Sequence, residues 1–246
     1  MPHLRAALLF AAGALTGASG WAFAPAASEP DPPGRNPVAG RAALAEPPDS
    51  PPPPAPRSPL ERAFSAAVEI RAGESYGAGV WLGDGRVLTA GHVLGGLAEA
   101  RLRFEGEPWR DARVLAHDAS DDLAVLSVEG VDRPAPERRS VGELGRGDAL
   151  YSVGCPRELG FTVQRGVVSH LSRRFGESRV MQTDLPAEAG SSGGPVFDEQ
   201  GRLVGVMSFV LRGSEGIAFV TPLEEALDLL DWPRGQRAGG RTSVGC

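Results

Sequence analysis

Three kinds of side chain in this sequence could together carry out acid–base and nucleophilic chemistry. His92 ends the apolar run Val87-Leu88-Thr89-Ala90-Gly91-His92-Val93, where small neighbours leave room beside an imidazole ring. Asp118, Asp121 and Asp122 cluster directly ahead of the apolar stretch Leu123-Ala124-Val125-Leu126. Ser191 and Ser192 lie side by side in Glu188-Ala189-Gly190-Ser191-Ser192-Gly193-Gly194-Pro195. A neutral hydroxyl is a weak nucleophile, an imidazole titrating near neutrality can take its proton, and a buried carboxylate selects the imidazole tautomer and stabilises the imidazolium. Small residues around a serine also let backbone N–H groups approach a reacting carbonyl, as an oxyanion hole requires. Alone, a Gly-Ser stretch is a turn and an aspartate cluster is a solvated one. The combination, in the chain order His, Asp, Ser, is what points to chemistry.

Composition removes the competing chemistries. All 25 basic residues are Arg. Without lysine there is no phosphate-cradling P-loop Lys, no Schiff-base Lys and no Ser-Lys dyad. Two cysteines cannot build a four-thiolate zinc site or a disulfide framework, and His3, His92, His117 and His170 are too widely spaced for a helical i, i+4 metal pair. A net charge of −6 with scattered Arg argues against a nucleic-acid partner, whose phosphates reward a basic stripe.

The elements that must position these residues occupy only part of the chain. Residues 1–24 carry His3 and Arg5 ahead of an apolar run ending in Ala22-Phe23-Ala24, which has the small-x-small form of a secretory cleavage site. Two forms stay open: a signal peptide that is cleaved, and an uncleaved anchor that tethers the protein through residues 6–24. Either places the rest of the chain outside the cytoplasm, periplasmic or secreted. Residues 25–59 hold 13 of the 22 prolines and only Val38 and Leu44 as large aliphatic side chains, so they read as a disordered, partly polyproline linker. Residues 60–232 read as one domain, with a tail at 233–246. Its texture is β: short apolar runs between turn residues at Ala67–Ile70, Ala78–Leu82, Arg86–Leu88, Arg101–Phe104, Ala112–Ala116, Leu123–Val128, Ala149–Val153, Phe161–Ser169, Val180–Thr183, Pro195–Phe197, Leu203–Phe209 and Ile217–Val220. Asp84-Gly85 predicts a tight hairpin. About a dozen such strands predict all-β barrels or a sandwich. Ser58-Pro59-Leu60-Glu61 and Thr221-Pro222-Leu223-Glu224 both spell a capping box with Pro at the first helical position. They predict a short helix after Ser58 and a C-terminal one from Pro222 to about Trp232.

The His92, Asp118–Leu126 and Thr183–Pro195 segments together resemble the trypsin-like peptidases of the chymotrypsin fold, and most closely the HtrA-type branch. The resemblance covers roughly residues 64–230. It implies an all-β fold of two six-stranded antiparallel barrels with a cleft between them, His92 and Asp122 in the first and Ser192 in the second. It also implies the roles. Ser192, which has the two following glycines that Ser191 lacks, is the nucleophile; His92 is the general base and then acid; Asp122, immediately before the apolar strand, fixes the imidazole; and the N–H groups of Gly190 and Ser192 form the oxyanion hole. The expected activity is a serine endopeptidase acting on polypeptide through an acyl-enzyme, with no cofactor or metal.

Further details follow from the same resemblance. Ser191 stands where digestive members place an aspartate that pairs with a new N-terminus, so activation by that pairing is not expected. Gly205-Val206-Met207-Ser208-Phe209 aligns with the strand on which this family lays substrate backbone, and Met207, Ser208, Phe209 and Ala218 are the candidate substrate-binding residues. Pro186, six before Ser192, occupies the place of trypsin's pocket carboxylate, so a small or medium apolar side chain is expected in the pocket. HtrA proteins usually continue into a PDZ module, for which residues 233–246 are too few. Cys155 is expected as a buried free thiol, with a bond to Cys246 as the alternative. The rival function is a catalytically silent trypsin-like fold that serves as a binding or sensor module. An esterase fits less well, because Gly-x-Ser-x-Gly on a strand-to-helix turn is missing.

Overall fold

The computed structural model of the chain describes residues 58–176, 178–210 and 216–226. The signal or anchor, nearly all of the linker, the tail, Cys246 and the predicted course of the C-terminal helix beyond Ala226 lie outside the described residues. Within them, β1 (Ala67–Ala72), β2 (Ser75–Gly83), β3 (Arg86–Ala90), β4 (Glu99–Arg103), β5 (Arg110–Asp118) and β6 (Leu123–Val128) close a barrel in the order β1-β2-β3-β6-β5-β4. A second barrel follows from β7 (Ala149–Gly154), β8 (Thr162–Phe175), β9 (Ser178–Thr183), β10 (Pro195–Asp198), β11 (Leu203–Val210) and β12 (Ala218–Pro222), in the order β7-β8-β9-β12-β11-β10. The second order is the first shifted by six strands, and the paired strands are antiparallel throughout. Closure leaves no exposed sheet edge around either barrel. The all-β, two-barrel expectation holds.

The local chemistry explains where the strands turn. Asp84 (φ 50°) and Gly85 (φ 71°) both take left-handed backbone, the form that matches the twist of a tight hairpin between β2 and β3. β2, β3, β6 and β10 are buried almost end to end, on both faces. That is why they read as continuous apolar runs without alternation. Val153, Phe197, Leu203 and Val206 of the second barrel belong to the same apolar cluster as Ile70, Leu88, Leu102 and Leu126 of the first. This shared cluster seats the barrels on each other, while Leu150, Val168, Met181, Val196, Val204 and Val220 fill the second barrel.

The two predicted capping boxes fare differently. At α1 (Pro59–Phe64), Ser58 Oγ accepts from Glu61 N–H and a Glu61 carboxylate oxygen accepts from Ser58 N–H, each at 3.1 Å. At Thr221 the box does not form. Glu224 instead accepts the N–H of Val141 at 2.9 Å, and Thr221 Oγ1 has no hydrogen-bond partner among the described residues. A tertiary acceptor role for Glu224 outcompetes its local one, and residues 223–226 form a 3-10 turn.

Candidate active site

His92 leaves the end of β3 in a 3-10 turn, Gly91–Leu94, and Asp122 ends the loop that feeds β6. β3 and β6 are paired neighbours, with Ala90 opposite Leu123, so the two strand ends bring His92 and Asp122 together. Asp122 takes left-handed backbone at φ 53°, which Asp tolerates better than most residues because its short polar side chain bonds locally. Its Oδ2 lies 2.6 Å from His92 Nδ1, and its Oδ1 accepts the backbone N–H of His92 at 2.8 Å. Its own carbonyl accepts Gly91 N–H at 2.8 Å. Both carboxylate oxygens are committed to one residue, an arrangement that suits an imidazole donating from Nδ1 and presenting Nε2 as the acceptor. The imidazole remains 20% exposed, against 9% for the carboxylate.

The Asp118 carboxylate has different work. Asp118 Oδ1 accepts from Ser120 N–H at 2.8 Å, from Ser120 Oγ–H at 2.7 Å and from Asp121 N–H at 3.3 Å, which folds the loop as an Asx turn. Of the three carboxylates, the one that hydrogen-bonds the His92 imidazole is Asp122. His117 is on β5, and its Nε2 lies 2.6 Å from where a Cβ on Gly91 would sit. His170 is on β8, where its Nδ1 accepts Ser172 N–H at 3.2 Å.

Ser192 sits in the turn between β9 and β10, held from both barrels. Its carbonyl accepts Ala78 N–H of β2 at 2.8 Å, while Gly193 N–H donates to the Met207 carbonyl of β11 at 2.7 Å and Met207 N–H to the Gly194 carbonyl at 2.8 Å. Gly193 has φ 78°, and a Cβ there would run into the Ala78 carbonyl and Thr89 Oγ1 and come within 2.8 Å of Ala90 N. The serine turn therefore presses on the strand end that carries His92, at a distance only glycine permits. Ser191, beside it, is buried and its Oγ accepts Glu188 N–H at 3.4 Å.

The preceding backbone is equally ordered. Ser191 N–H donates to the Glu188 carbonyl at 2.9 Å, closing a turn whose third residue, Gly190, has φ 96°. The Ala189 carbonyl accepts Arg157 N–H at 2.9 Å and Tyr76 Oη–H at 3.3 Å, and the Gly190 carbonyl accepts Cys155 N–H at 3.0 Å. These carbonyls are thus engaged on one side, whereas the N–H groups of Gly190 and Ser192 donate to no group among the described residues. Two unspent N–H donors beside a serine and an oriented imidazole suit the stabilisation of a developing oxyanion. Cys155 is a buried free thiol whose pKa is pushed up to about 12, by burial first and then by Glu69, so it stays protonated and is no rival nucleophile.

The candidate substrate-binding residues lie on two adjacent strands. Met207 and Ala218 are buried in the apolar cluster of the second barrel with Leu185, and Ser208 is buried at 3% exposure. Phe209 stacks in an aromatic trio with Phe219 (4.8 Å between centroids) and Phe175 (5.4 Å). Between Met207 and Phe209 the register with β12 shifts, leaving Ser208 in a bulge, and the pairing with β10 ends at Val206. Sequence reading alone missed Tyr76 and Arg157, whose contacts to the serine turn span 113 and 32 residues and leave no local signal.

Comparison with known proteins shows where this fold belongs. The family model of the trypsin-like peptidase domain matches residues 77–206, more than half of the chain. A probable periplasmic serine endoprotease, DegP-like, of Hahella chejuensis is 33% identical over 154 residues, covering 60% of this chain and 33% of that protein. One from Pseudomonas fulva is 31% identical over 191 residues, covering 75% and 39%. The chain thus spans between a third and two fifths of the length of these relatives. Among solved structures, the HtrA-type protease AlgW with a tripeptide superposes with a TM-score of 0.65 at 27% identity, covering 70% of this chain and 61% of that one. The serine endoprotease from Yersinia pestis gives 0.63 at 26% identity, covering 72% and 66%. Two closed barrels in the same strand order, a histidine and an aspartate locked together at neighbouring strand ends of the first, and a serine turn seated on them from the second accompany that match, and the chain belongs to the trypsin-like peptidase family, with HtrA- and DegP-like serine proteases among its relatives.

Proposed function

We propose that the protein is an extracytoplasmic serine endopeptidase that cleaves exposed segments of polypeptide. The observation that carries this reading is the double hydrogen bond from His92 to Asp122 beside a serine turn packed on the strand end that bears His92. In the first step His92 Nε2 takes the proton from Ser192 Oγ as the oxygen bonds to the scissile carbonyl carbon. The carbonyl oxygen becomes an oxyanion facing the N–H groups of Gly190 and Ser192. The imidazolium, stabilised by Asp122, then gives its proton to the departing amine as the C–N bond breaks, leaving an acyl-enzyme on Ser192. Water hydrolyses the ester with His92 again as base.

Substrate backbone would add along β11 from Ser208 onward, where the pairing with β10 has ended. Met207, Phe209 and Ala218 would shape the primary pocket around a small or medium apolar side chain. Pro186 brings no carboxylate to recognise a basic one. The domain organisation that goes with this activity is a signal peptide or anchor over 1–24, a proline-rich linker over 25–59, the protease domain over 60–232 and a tail over 233–246. Relatives named as periplasmic endoproteases support a location outside the cytoplasm.

A fluorophosphonate probe should label the wild type and not Ser192→Ala, and only the wild type should hydrolyse casein. Equal labelling of both would overturn the assignment of the nucleophile. Binding of unfolded protein with neither labelling nor cleavage by the wild type would favour a silent binding module.

A further inference from the structure

Resting on that reading of the site, the oxyanion turn raises a question of orientation that its own sequence does not answer. A turn over residues 188–191 closed by Ser191 N–H to the Glu188 carbonyl has two common forms, which differ by a flip of the central peptide between Ala189 and Gly190. In a trans peptide the C=O and the N–H point in opposite directions. The flip therefore exchanges the Gly190 N–H for the Ala189 carbonyl on the face beside Ser192, replacing a donor with an acceptor where negative charge must develop. A side chain at position 190 would favour the form with negative φ, but glycine adopts both. The observed φ of 96° is the positive-φ form, in which the Ala189 carbonyl points to Tyr76 and Arg157 and the Gly190 N–H points the opposite way.

In that form the Ala189 carbonyl accepts two hydrogen bonds. One comes from Arg157 N–H, in the 3-10 turn Pro156–Glu158 of the second barrel. The other comes from Tyr76 Oη on β2 of the first barrel, 113 residues away in sequence. The Tyr76 ring also lies against the turn: a Cβ on Gly190 would come within 2.7 Å of its Cε2. Arg157 (φ 52°) and Glu158 (φ 61°) are two successive non-glycine residues in left-handed backbone, a conformation that surrounding contacts must hold. Around it, Arg157 N–H and Glu158 N–H donate to the Ala189 and Cys155 carbonyls at 2.9 and 3.3 Å, and the exposed side chains pair with Glu188 and with Arg71 of the first barrel.

We infer that Tyr76 is a positioning residue of the oxyanion hole: its hydroxyl holds the Ala189 carbonyl away from the reacting centre and so keeps the Gly190 N–H pointing into it. It acts on the transition state through the peptide plane, so its loss should appear in turnover and not in ground-state binding.

Tyr76→Phe keeps the ring and deletes the hydroxyl. With a peptide substrate, kcat should fall roughly three- to tenfold, the range of a single net hydrogen bond, with KM nearly constant. A peptide boronic acid adds to Ser192 Oγ as a tetrahedral adduct with an oxygen in the oxyanion position, and its affinity should fall by the same factor. The thermal midpoint should stay within a degree or two of the wild type. Equal kcat and equal boronate affinity in Tyr76→Phe and wild type would overturn the inference, as would a loss confined to KM or to thermal stability. Ser192→Ala separates the two readings. If it hydrolyses as fast as the wild type, the assignment of the site falls and this inference with it. If it is inactive while Tyr76→Phe is indistinguishable from wild type, the inference alone falls.

Discussion

Replacing Asp122 by Asn removes one negative charge with almost no change in volume, and the structure dictates why neither orientation of the amide can work. Oδ2 faces His92 Nδ1 at 2.6 Å and Oδ1 accepts the His92 backbone N–H at 2.8 Å. If the Asn oxygen keeps the backbone bond, its NH2 group faces Nδ1, which must then become an acceptor. The proton moves to Nε2, and the ring can no longer take the serine proton. If the amide flips, its NH2 opposes the His92 backbone N–H, and two donors collide. The first orientation costs less, so the variant should sit in the wrong tautomer. In a Ser-His-Asp peptidase, a wrong tautomer of this kind costs about four orders of magnitude in kcat, or roughly 5.5 kcal/mol of transition-state stabilisation, and a similar loss is expected here. Stability should change little, because Asn tolerates the left-handed backbone at φ 53° as well as Asp does. The assay is steady-state hydrolysis of a peptide substrate, with thermal unfolding as control and Asp118→Asn and Asp121→Asn alongside, both expected to keep kcat within a few fold. An Asp122→Asn enzyme with kcat within tenfold of wild type, beside an inactive Ser192→Ala, would refute the reasoning. So would a collapse on Asp121→Asn.

Two further substitutions probe what supports the site. Gly193→Ala places a methyl group against the Ala78 carbonyl and Thr89 Oγ1 in left-handed backbone, so urea unfolding should show a loss of about 3 kcal/mol or more, with a loss below about 1 kcal/mol counting against the close approach. Asp198 is buried, and burial alone would raise its pKa, yet the backbone N–H and guanidinium of Arg202 and the N–H of Gln200 outweigh it and hold the carboxyl below its ordinary value. With the folded pKa depressed, the unfolded chain binds the proton more readily. This contribution to stability is therefore full above the ordinary carboxylate range and is lost as pH falls through that range and below it. Asp198→Asn should consequently destabilise the protein near neutrality and flatten the acid side of its stability profile; an unchanged acid limb would contradict the assignment.

Much of the architecture was legible because its determinants are local. The Asp84-Gly85 hairpin follows from two residues that accept positive φ, and the capping box at Ser58 from four residues in a row. The runs at β3 and β6 announce strands buried on both faces. The strand after Gly160 extends to Phe175, past the predicted end at Ser169, because its polar continuation is paired with β9 and owes little to apolar content. The second capping box failed for the complementary reason: Glu224 found a better donor in Val141, 83 residues away. Among the candidate site residues, the ambiguity of three neighbouring aspartates could be narrowed by resemblance, but its geometric basis lies in which carboxylate meets the imidazole.

By itself, the sequence determined the residue types that can do this chemistry, their order, the β texture and the absence of lysine-based alternatives, since these depend on composition and short-range pattern. The tertiary structure alone decided which side chains share one place and how the backbone between them is turned. Barrel closure sets the end of β3 beside the start of β6, and the packing of one barrel on the other brings Tyr76 to the carbonyl of Ala189. Hydrogen bonds fall off within a fraction of an ångström, so contacts across 30 to 113 residues become definite only once both barrels are closed and seated.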